Sequence, residues 1–241
     1  MFWWATDIHC TQEGDTYYEP WYGNGIANYE AFATAVNAAA PDAVFITGDI
    51  ANKSIEMVST AGSITRTINN ALPIIGNNDL GIGGTSLAGY TAQKTACLIQ
   101  YEMQSDHYTR DYGFCRVVVL NGNYNENEQD FQAEGSGYIT AEQLLWLQDQ
   151  LDTGPDAVLV LIHHAPSFRI INHDALYEIL QSRDNVFVFA GHEHPAHVVI
   201  SNSAVPEWIG PTVFNGKYCI VSVGKSITGS ISVTVNERSL L

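Results

Sequence analysis

Basic residues are scarce in this sequence. Ten Lys and Arg stand against 26 Asp and Glu in 241 residues, a formal net charge of −16. A protein that tracks a nucleic-acid backbone needs basic surface to displace counterions, so that class, nucleases included, is disfavoured. The acidity itself reads as a solvated surface. Cysteine is also sparse: Cys10, Cys97, Cys115 and Cys219 are scattered with no CxxC pair. Neither a zinc ribbon nor a dense disulfide framework is indicated, and at most one disulfide stays open. No apolar run is long enough to span a membrane, and no basic start followed by an apolar segment and a cleavage site is visible. The expectation is a chain without membrane segments, the cytoplasm being its favoured compartment. A leader once preceding Met1 is compatible with a first strand that begins almost at once.

What is present is a series of short apolar strands alternating with helical patterns. The chain is 46% hydrophobic and long enough to bury a substantial core. Strands are expected at 2–7, 43–49, 72–77, 114–122, 157–164 and 186–194. Helices are expected around 26–39, where Ile26, Tyr29, Ala33, Val36 and Ala40 recur before Pro41, and at 91–104 and 173–182. Thr140 and Gln143 read as a T-x-x-Q capping box opening a further helix through Leu144, Leu147 and Leu151. The run AVLVLIHH suits a strand buried on both faces. The tail alternates without helices, which predicts antiparallel strands. The fold class is therefore α/β passing into α+β, with mixed sheets and outer helices. No domain boundary shows, so residues 1–241 read as one domain. Segments 10–25 and 121–138 are long polar loops, of the kind that more often carries specificity than structure.

Five of the expected strands end in polar residues. Asp7 and His9 follow the first, Gly48-Asp49 the second, and Gly76-Asn77 the third; His163-His164 and Gly191-His192-Glu193-His194 end two later ones. In open α/β sheets ligands bind beyond the carboxyl ends of strands, so these donors are expected to converge at one edge. Imidazoles and carboxylates without thiolates suit Mn, Fe or Zn, with Mg also compatible. Two such ions about 3.5–4 Å apart can activate water and brace an in-line displacement at phosphorus. They would also make the pocket locally positive within an acidic protein.

Asp-x-His (7–9), Gly-Asp-x-x-Asn (48–52), Gly-Asn-x-Asp (76–79), His163 and Gly-His-x-His (191–194) together resemble the calcineurin-like metallophosphoesterases in order and spacing. The stretches at 108–121, 139–151 and 161–166 are similar to its cyclic-nucleotide phosphodiesterase branch, which the purple acid phosphatases adjoin. The resemblance implies a four-layer αββα sandwich and two divalent or trivalent metal ions. It assigns Asp7, His9 and His194 to one ion and Asn77, His163 and His192 to the other. Asp49 would bridge them, together with a hydroxide that attacks phosphorus. The implied activity is hydrolysis of a phosphodiester or diphosphate bond in a small molecule, with a phosphomonoesterase or a catalytically impaired binding protein of the same fold as alternatives. The oligomeric state is open.

One position departs from that pattern. Family members carry Gly-Asn-His-Asp or Gly-Asn-His-Glu where this chain has Asn77-Asn78-Asp79, and the histidine is thought to contact phosphate and assist the leaving group. Asparagine cannot act as a general acid, although its amide donates hydrogen bonds. Losing an acid typically costs ~10²–10⁴ in rate. Either the substrate has a good leaving group, or His164 or His107 supplies the proton, or the chain holds substrate and turns it over slowly. Asn78 and His164 are the candidates for contacting phosphate. Asn52 is expected to stand behind a ligand rather than to be one. His197 is a similar supporting candidate, and His173 is expected in the first turn of a helix. Cys10, Trp3 and Trp4 are expected in the core. Tyr17, Tyr18, Trp21 and Tyr22 read either as an aromatic wall over the pocket or as a pin for their loop.

Overall fold

A computed structural model describes residues 1–11, 24–52, 54–81, 86–194, 198–200, 203 and 205–240. Two mixed sheets lie at its centre. In the first, β1 (Phe2–Ala5), β2 (Ala43–Ile46) and β3 (Ala71–Pro73) run parallel, and the long antiparallel pair β10 (Lys217–Lys225) and β11 (Ile231–Ser239) extends it in the order β11-β10-β1-β2-β3. The second has the order β4-β5-β6-β7-β9-β8. Its β5 (Cys115–Val119), β6 (Ala157–Leu161), β7 (Val186–Ala190) and β9 (Glu207–Ile209) are parallel, and β4 (Tyr108–Tyr112) and β8 (Val198–Ile200) are antiparallel edges.

Strand alternation sends successive side chains to opposite faces, and the layers follow from it. Phe2 and Trp4 of β1 join Phe45, Leu159, Leu161 and Phe189 between the sheets, where the Trp4 and Phe189 rings meet edge to face at 5.2 Å. Trp3 and Ala5 face the other way, onto α1 (Gly25–Ala39), α2 (Ile55–Thr65) and α3 (Leu87–Gln100), packing with Tyr29, Phe32, Val58 and Cys97. On the far side, Val118, Val160 and Val188 pack under α4 (Ala141–Asp152) and α6 (His173–Leu180), the latter preceded by the four-residue α5 (Pro166–Arg169). Three separate apolar clusters thus lie between four layers, helix–sheet–sheet–helix. Cys10 and both tryptophans are buried as expected. Among the described residues no helix is long and apolar enough to cross a membrane.

Several expectations need correction. The strands end two to four residues earlier than their apolar runs suggest. α2 is a helix beyond those expected, capped by Ser54, whose hydroxyl accepts from the Met57 amide at 3.0 Å. The helix expected at 91–104 begins four residues sooner, behind Ser86, whose hydroxyl accepts from Gly89 N. The capping box is half formed: Thr140 Oγ1 accepts from Gln143 N, but the Gln143 side chain turns away. Its Oε1 accepts from Asn121 N and its Nε2 donates to Asn121 O, each at 3.0 Å. A turn at Tyr112-Gly113, with Gly113 at φ +61, closes the β4–β5 hairpin just ahead of the strand expected at 114–122.

Candidate metal centre

The five strand ends meet. β1 continues beside β2 through backbone bonds from Asp7 N to Gly48 O and from Ile8 N and His9 N to Asp49 O. Gly191 N donates to His163 O at 3.0 Å, which ties the turn after β7 to the end of β6. Asp7, His9, Asp49, His192 and His194 all sit at positive φ, between 49 and 72. L-residues adopt this region sparingly, and such strain gathers at functional sites. It is also why β1, β2 and β7 stop short of their apolar runs: a left-handed residue cannot continue an extended ladder, and each one swings its side chain off the sheet edge. Two glycines allow the crossing loops to approach. A Cβ on Gly48, itself at φ +91, would lie 2.6 Å from His163 Nδ1, and one on Gly76 would lie 2.1 Å from Asp49 N.

Two donor groups result. Ligand atoms of Asp7, His9, Asp49 and His194 lie within 4.8 Å of one another, as do those of His163, His164 and His192. Asn77 joins the second group: its Oδ1 is 3.0 Å from His163 Nε2 and 2.9 Å from His192 Nδ1. Asp49 lies between the groups. Its Oδ1 is 3.3 Å from His163 Nε2 and its Oδ2 is 3.7 Å from His9 Nε2. All seven residues expected to hold metal are therefore brought together; Asp7, His9, Asp49, Asn77 and His163 are buried, and His192 and His194 are half-buried, the latter with 30% of its side chain exposed.

The surrounding bonds set the direction of each donor. His163 Nδ1 donates to Thr47 O at 2.8 Å, which leaves Nε2 facing Asn77 and Asp49. His9 Nδ1 donates to Asn52 Oδ1 at 2.6 Å, and its Nε2 comes within 3.0 Å of His194 Nε2. Thr6 Oγ1 and the His192 amide donate to Asp7. The ring of Phe214 stands edge-on to both His9 and His194, at 5.5 and 5.4 Å.

Burial and the clustered charges act on each donor differently. Burial disfavours ionised Asp49, but His163, His9 and His192 outweigh it and hold the carboxyl well below its usual range. Burial likewise opposes a charged His163, yet Asp49 and Asp7 push its pKa up to about 9. His192 goes the other way, down to about 4, through burial and the charge on His163. Carboxylates, imidazoles and an amide oxygen converge here, and protonation is favoured at His163 and His194 but opposed at His9, His192 and His164. This donor set fits divalent or trivalent ions of the Mn, Fe or Zn type.

The two residues expected to meet phosphate are placed differently. Asn78, half-buried, donates from its amide N to Asp49 Oδ1 at 2.8 Å and from Nδ2 to Asp49 Oδ2 at 2.6 Å. His164 is fully buried and donates from Nε2 to Ala133 O at 2.7 Å, while its Nδ1 has no partner. Burial, with the charges of His163 and His192, holds His164 neutral, and its single ring proton points away from the donor groups. His107 pairs with Asp106 and packs on Trp146, and His173 opens α6 with Nδ1 donating to Ile170 O. Asn52 does stand behind His9. Thr6, Thr47 and Phe214 also serve the site, although their side chains or carbonyls carry no local sequence signal, as does the pair Arg169–Glu193, in which Arg169 grips the residue between His192 and His194. His197, Tyr17, Tyr18, Trp21 and Tyr22 lie outside the described residues.

Comparison with known proteins agrees with this geometry. The family model described as calcineurin-like phosphoesterase matches residues 1–196. No curated protein matches the chain. Among solved structures, a dimetal phosphatase from Danio rerio superposes with a TM-score of 0.67 at 13% identity, covering 100% of this chain and 98% of that one. A purple acid phosphatase from yellow lupin (Lupinus luteus) gives 0.65 at 12% identity over 99% of this chain and 51% of that one. A 5'-nucleotidase from Candida albicans gives 0.56 at 14% identity over 97% and 50%. At these identities the likeness is one of fold.

Proposed function

The chain belongs to the calcineurin-like phosphoesterase family, and from that premise we propose that it is a two-metal hydrolase of phosphodiester or diphosphate bonds in small molecules. Asp7, His9 and His194 would hold one ion, Asn77, His163 and His192 the other, and Asp49 would serve both. When bound, the ions supply an activated water and positive charge for the phosphoryl oxygens. The chain's own residues orient that chemistry. Thr47 and Asn52 fix the histidine tautomers, and Asp7, His9, Asp49 and His163 are themselves shielded from bulk water. The observation that carries the reading is Asp49, with one oxygen toward each donor group. The unit is the whole chain, 1–241. The strands beyond the family match support this, because β10 pairs with β1 in the register Trp3↔Ile220 and so completes the sheet that carries Asp7 and Asp49.

The preference for diesters and diphosphates rests on Asn78 and His164, neither of which is placed to release a proton to a departing oxygen. Bonds whose leaving group departs unprotonated suit such a site. The test is metal analysis together with Mn²⁺-supported turnover of a bis-aryl phosphodiester, an aryl monoester and a cyclic nucleotide. Two metals per chain and a steep fall of kcat/KM with rising leaving-group pKa are expected. A flat dependence would sink the leaving-group argument. Asp49→Ala and Asn77→Ala should each lose metal, and full activity with two metals retained in either would overturn the site. A second reading, a metal-holding protein that binds ligand without turnover, is favoured by Asn78 alone. It wins if metal is verified bound and none of the three substrates turns over.

A further inference from the structure

Asn78 reaches both oxygens of one carboxylate. Asn77 opens a single 3-10 turn over Asn78–Leu80, with Leu80 N donating to Asn77 O and Gly81 N to Asn78 O, each at 3.2 Å. The turn is seated from below by Asp79, whose carboxylate accepts from Gly76 N and Ala51 N at 2.8 Å and from Tyr101 Oη at 2.8 Å. Held this way, Asn78 points its own amide N at Asp49 Oδ1 and its side-chain Nδ2 at Asp49 Oδ2. A carboxylate so gripped cannot rotate about its Cβ–Cγ bond without breaking a charge-assisted hydrogen bond, of the kind roughly twice as strong as a neutral one. Each oxygen keeps a further lone pair for a cation.

We propose that Asn78 is a positioning residue for the Asp49 carboxylate: it locks the plane in which Asp49 presents one oxygen to each donor group, and so acts on metal loading and spacing rather than on phosphate. The proposal rests on Asp49 being the ligand shared by two ions. It gives the replaced histidine position a different task, since Asn78 spends its side-chain donor inside the protein. Outer partners of metal ligands typically govern ~10–100-fold in metal affinity, which sets the size of the expected effect.

The test compares wild type, Asn78→Ala and Asn78→Asp as full chains stripped with chelator. Mn²⁺ stoichiometry and affinity are measured by calorimetry, and the visible spectrum is recorded after Co²⁺ loading. Asn78→Asp keeps the volume but turns a donor into an acceptor facing Asp49, so a folding defect in Asn78→Ala, seen by circular dichroism, leaves the second variant to decide. The expected result is a ~10–100-fold loss in at least one Mn²⁺ affinity and a shifted Co²⁺ spectrum in both variants. Wild-type affinity and spectrum in a folded variant, with only kcat or KM altered, would place Asn78 against substrate and overturn the proposal. A wild type that binds no Mn²⁺ at all would instead remove the two-metal reading, and the proposal with it.

Discussion

Asn52 Oδ1 accepts the Nδ1 proton of His9 at 2.6 Å, and that bond decides which nitrogen of His9 faces Asp7, Asp49 and His194. The amide is itself oriented, because Asn52 Nδ2 donates to Thr11 Oγ1 at 2.6 Å and Thr11 Oγ1 donates to His9 O at 2.9 Å. Asn52→Ala therefore leaves a buried N–H without an acceptor, which costs ~1–3 kcal/mol, and frees the ring to take the other tautomer. The expected outcome is a lower urea midpoint together with a ~10–100-fold weaker metal affinity. Asn52→Asp keeps the acceptor and should retain most of the affinity. If alanine and aspartate behave alike in a metal titration, the bond does not set the tautomer.

Arg169 donates through Nε and Nη2 to the Glu193 carboxylate, and its Nη1 donates to Gly135 O at 3.2 Å. It thereby fastens the His192–His194 turn to the loop whose Ala133 carbonyl receives His164. Arg169 has 36% of its side chain exposed, so its contribution to stability is small, about 1 kcal/mol or less. The effect of Arg169→Ala should fall on the site instead: KM or metal affinity changes several-fold while the melting temperature moves by only a few degrees. A variant with wild-type kinetics would show that the turn needs no such tie.

Lys94 is the cation of an otherwise acidic pocket. Its Nζ lies 3.2 Å from Asp106 Oδ2, 2.5 Å from Asp130 Oδ1 and 3.3 Å from the Tyr124 hydroxyl. Both carboxylates are 9% exposed. Lys94→Met removes the positive partner and leaves two buried negative charges, a change expected to cost ~3–5 kcal/mol by chemical denaturation. A loss below 1 kcal/mol would mean that Tyr124, Asn121 and His107 satisfy Asp106 unaided.

The same pocket sets an acid limit. Burial opposes the charge on Asp106, but His107, Lys94, Tyr124 and Asn121 outweigh it and hold the carboxyl well below the usual aspartate range. The unfolded chain then binds this proton at a higher pH than the folded one, so stability rises with pH between the two values. The contribution is complete above pH ~4, the ordinary aspartate value, and is lost as pH falls through the depressed folded value. Wild-type stability should drop steeply below pH ~4, and the slope should be shallower in Asp106→Asn. Parallel pH profiles for the two proteins would contradict the assignment.

Asp79 anchors the turn beneath Asn78. Removing its carboxylate in Asp79→Ala orphans Gly76 N, Ala51 N and the Tyr101 hydroxyl at once. Each unmet buried group costs ~1–3 kcal/mol, so a loss of several kcal/mol is expected in denaturant unfolding, and metal affinity should fall with it as Asn77 and Asn78 loosen. A stable variant with intact metal uptake would show that the turn stands without its anchor.

Much of this was readable in the chain. Apolar runs closed by Asp, Asn or His placed the strands, and their order placed the seven donors, because parallel strands deliver their carboxyl ends together; that the donors come from two sheets packed face to face was not readable in the chain. Thr140 was legible as a cap because capping is local. Gln143 was not legible as a brace for Asn121, since that bond crosses 22 residues of sequence and competes with the local one. Helix α2 escaped because Ser59, Thr60, Gly62 and Ser63 blur its apolar face, and packing against α3 rather than propensity holds it. The ends of β1, β2 and β7 fall before their apolar runs do because hydrophobicity does not report φ, and Asp7, Asp49 and His192 are left-handed.

The sequence by itself determined the donor inventory and its family, because residue type and spacing along strands are one-dimensional facts. Only the tertiary structure decided where each donor atom points: that Asn78 grips Asp49, that His164 turns to Ala133, and that Arg169 clasps Glu193. Those directions depend on hydrogen bonds between residues far apart in sequence, and a hydrogen bond of ~3 Å exists only once the layers have packed.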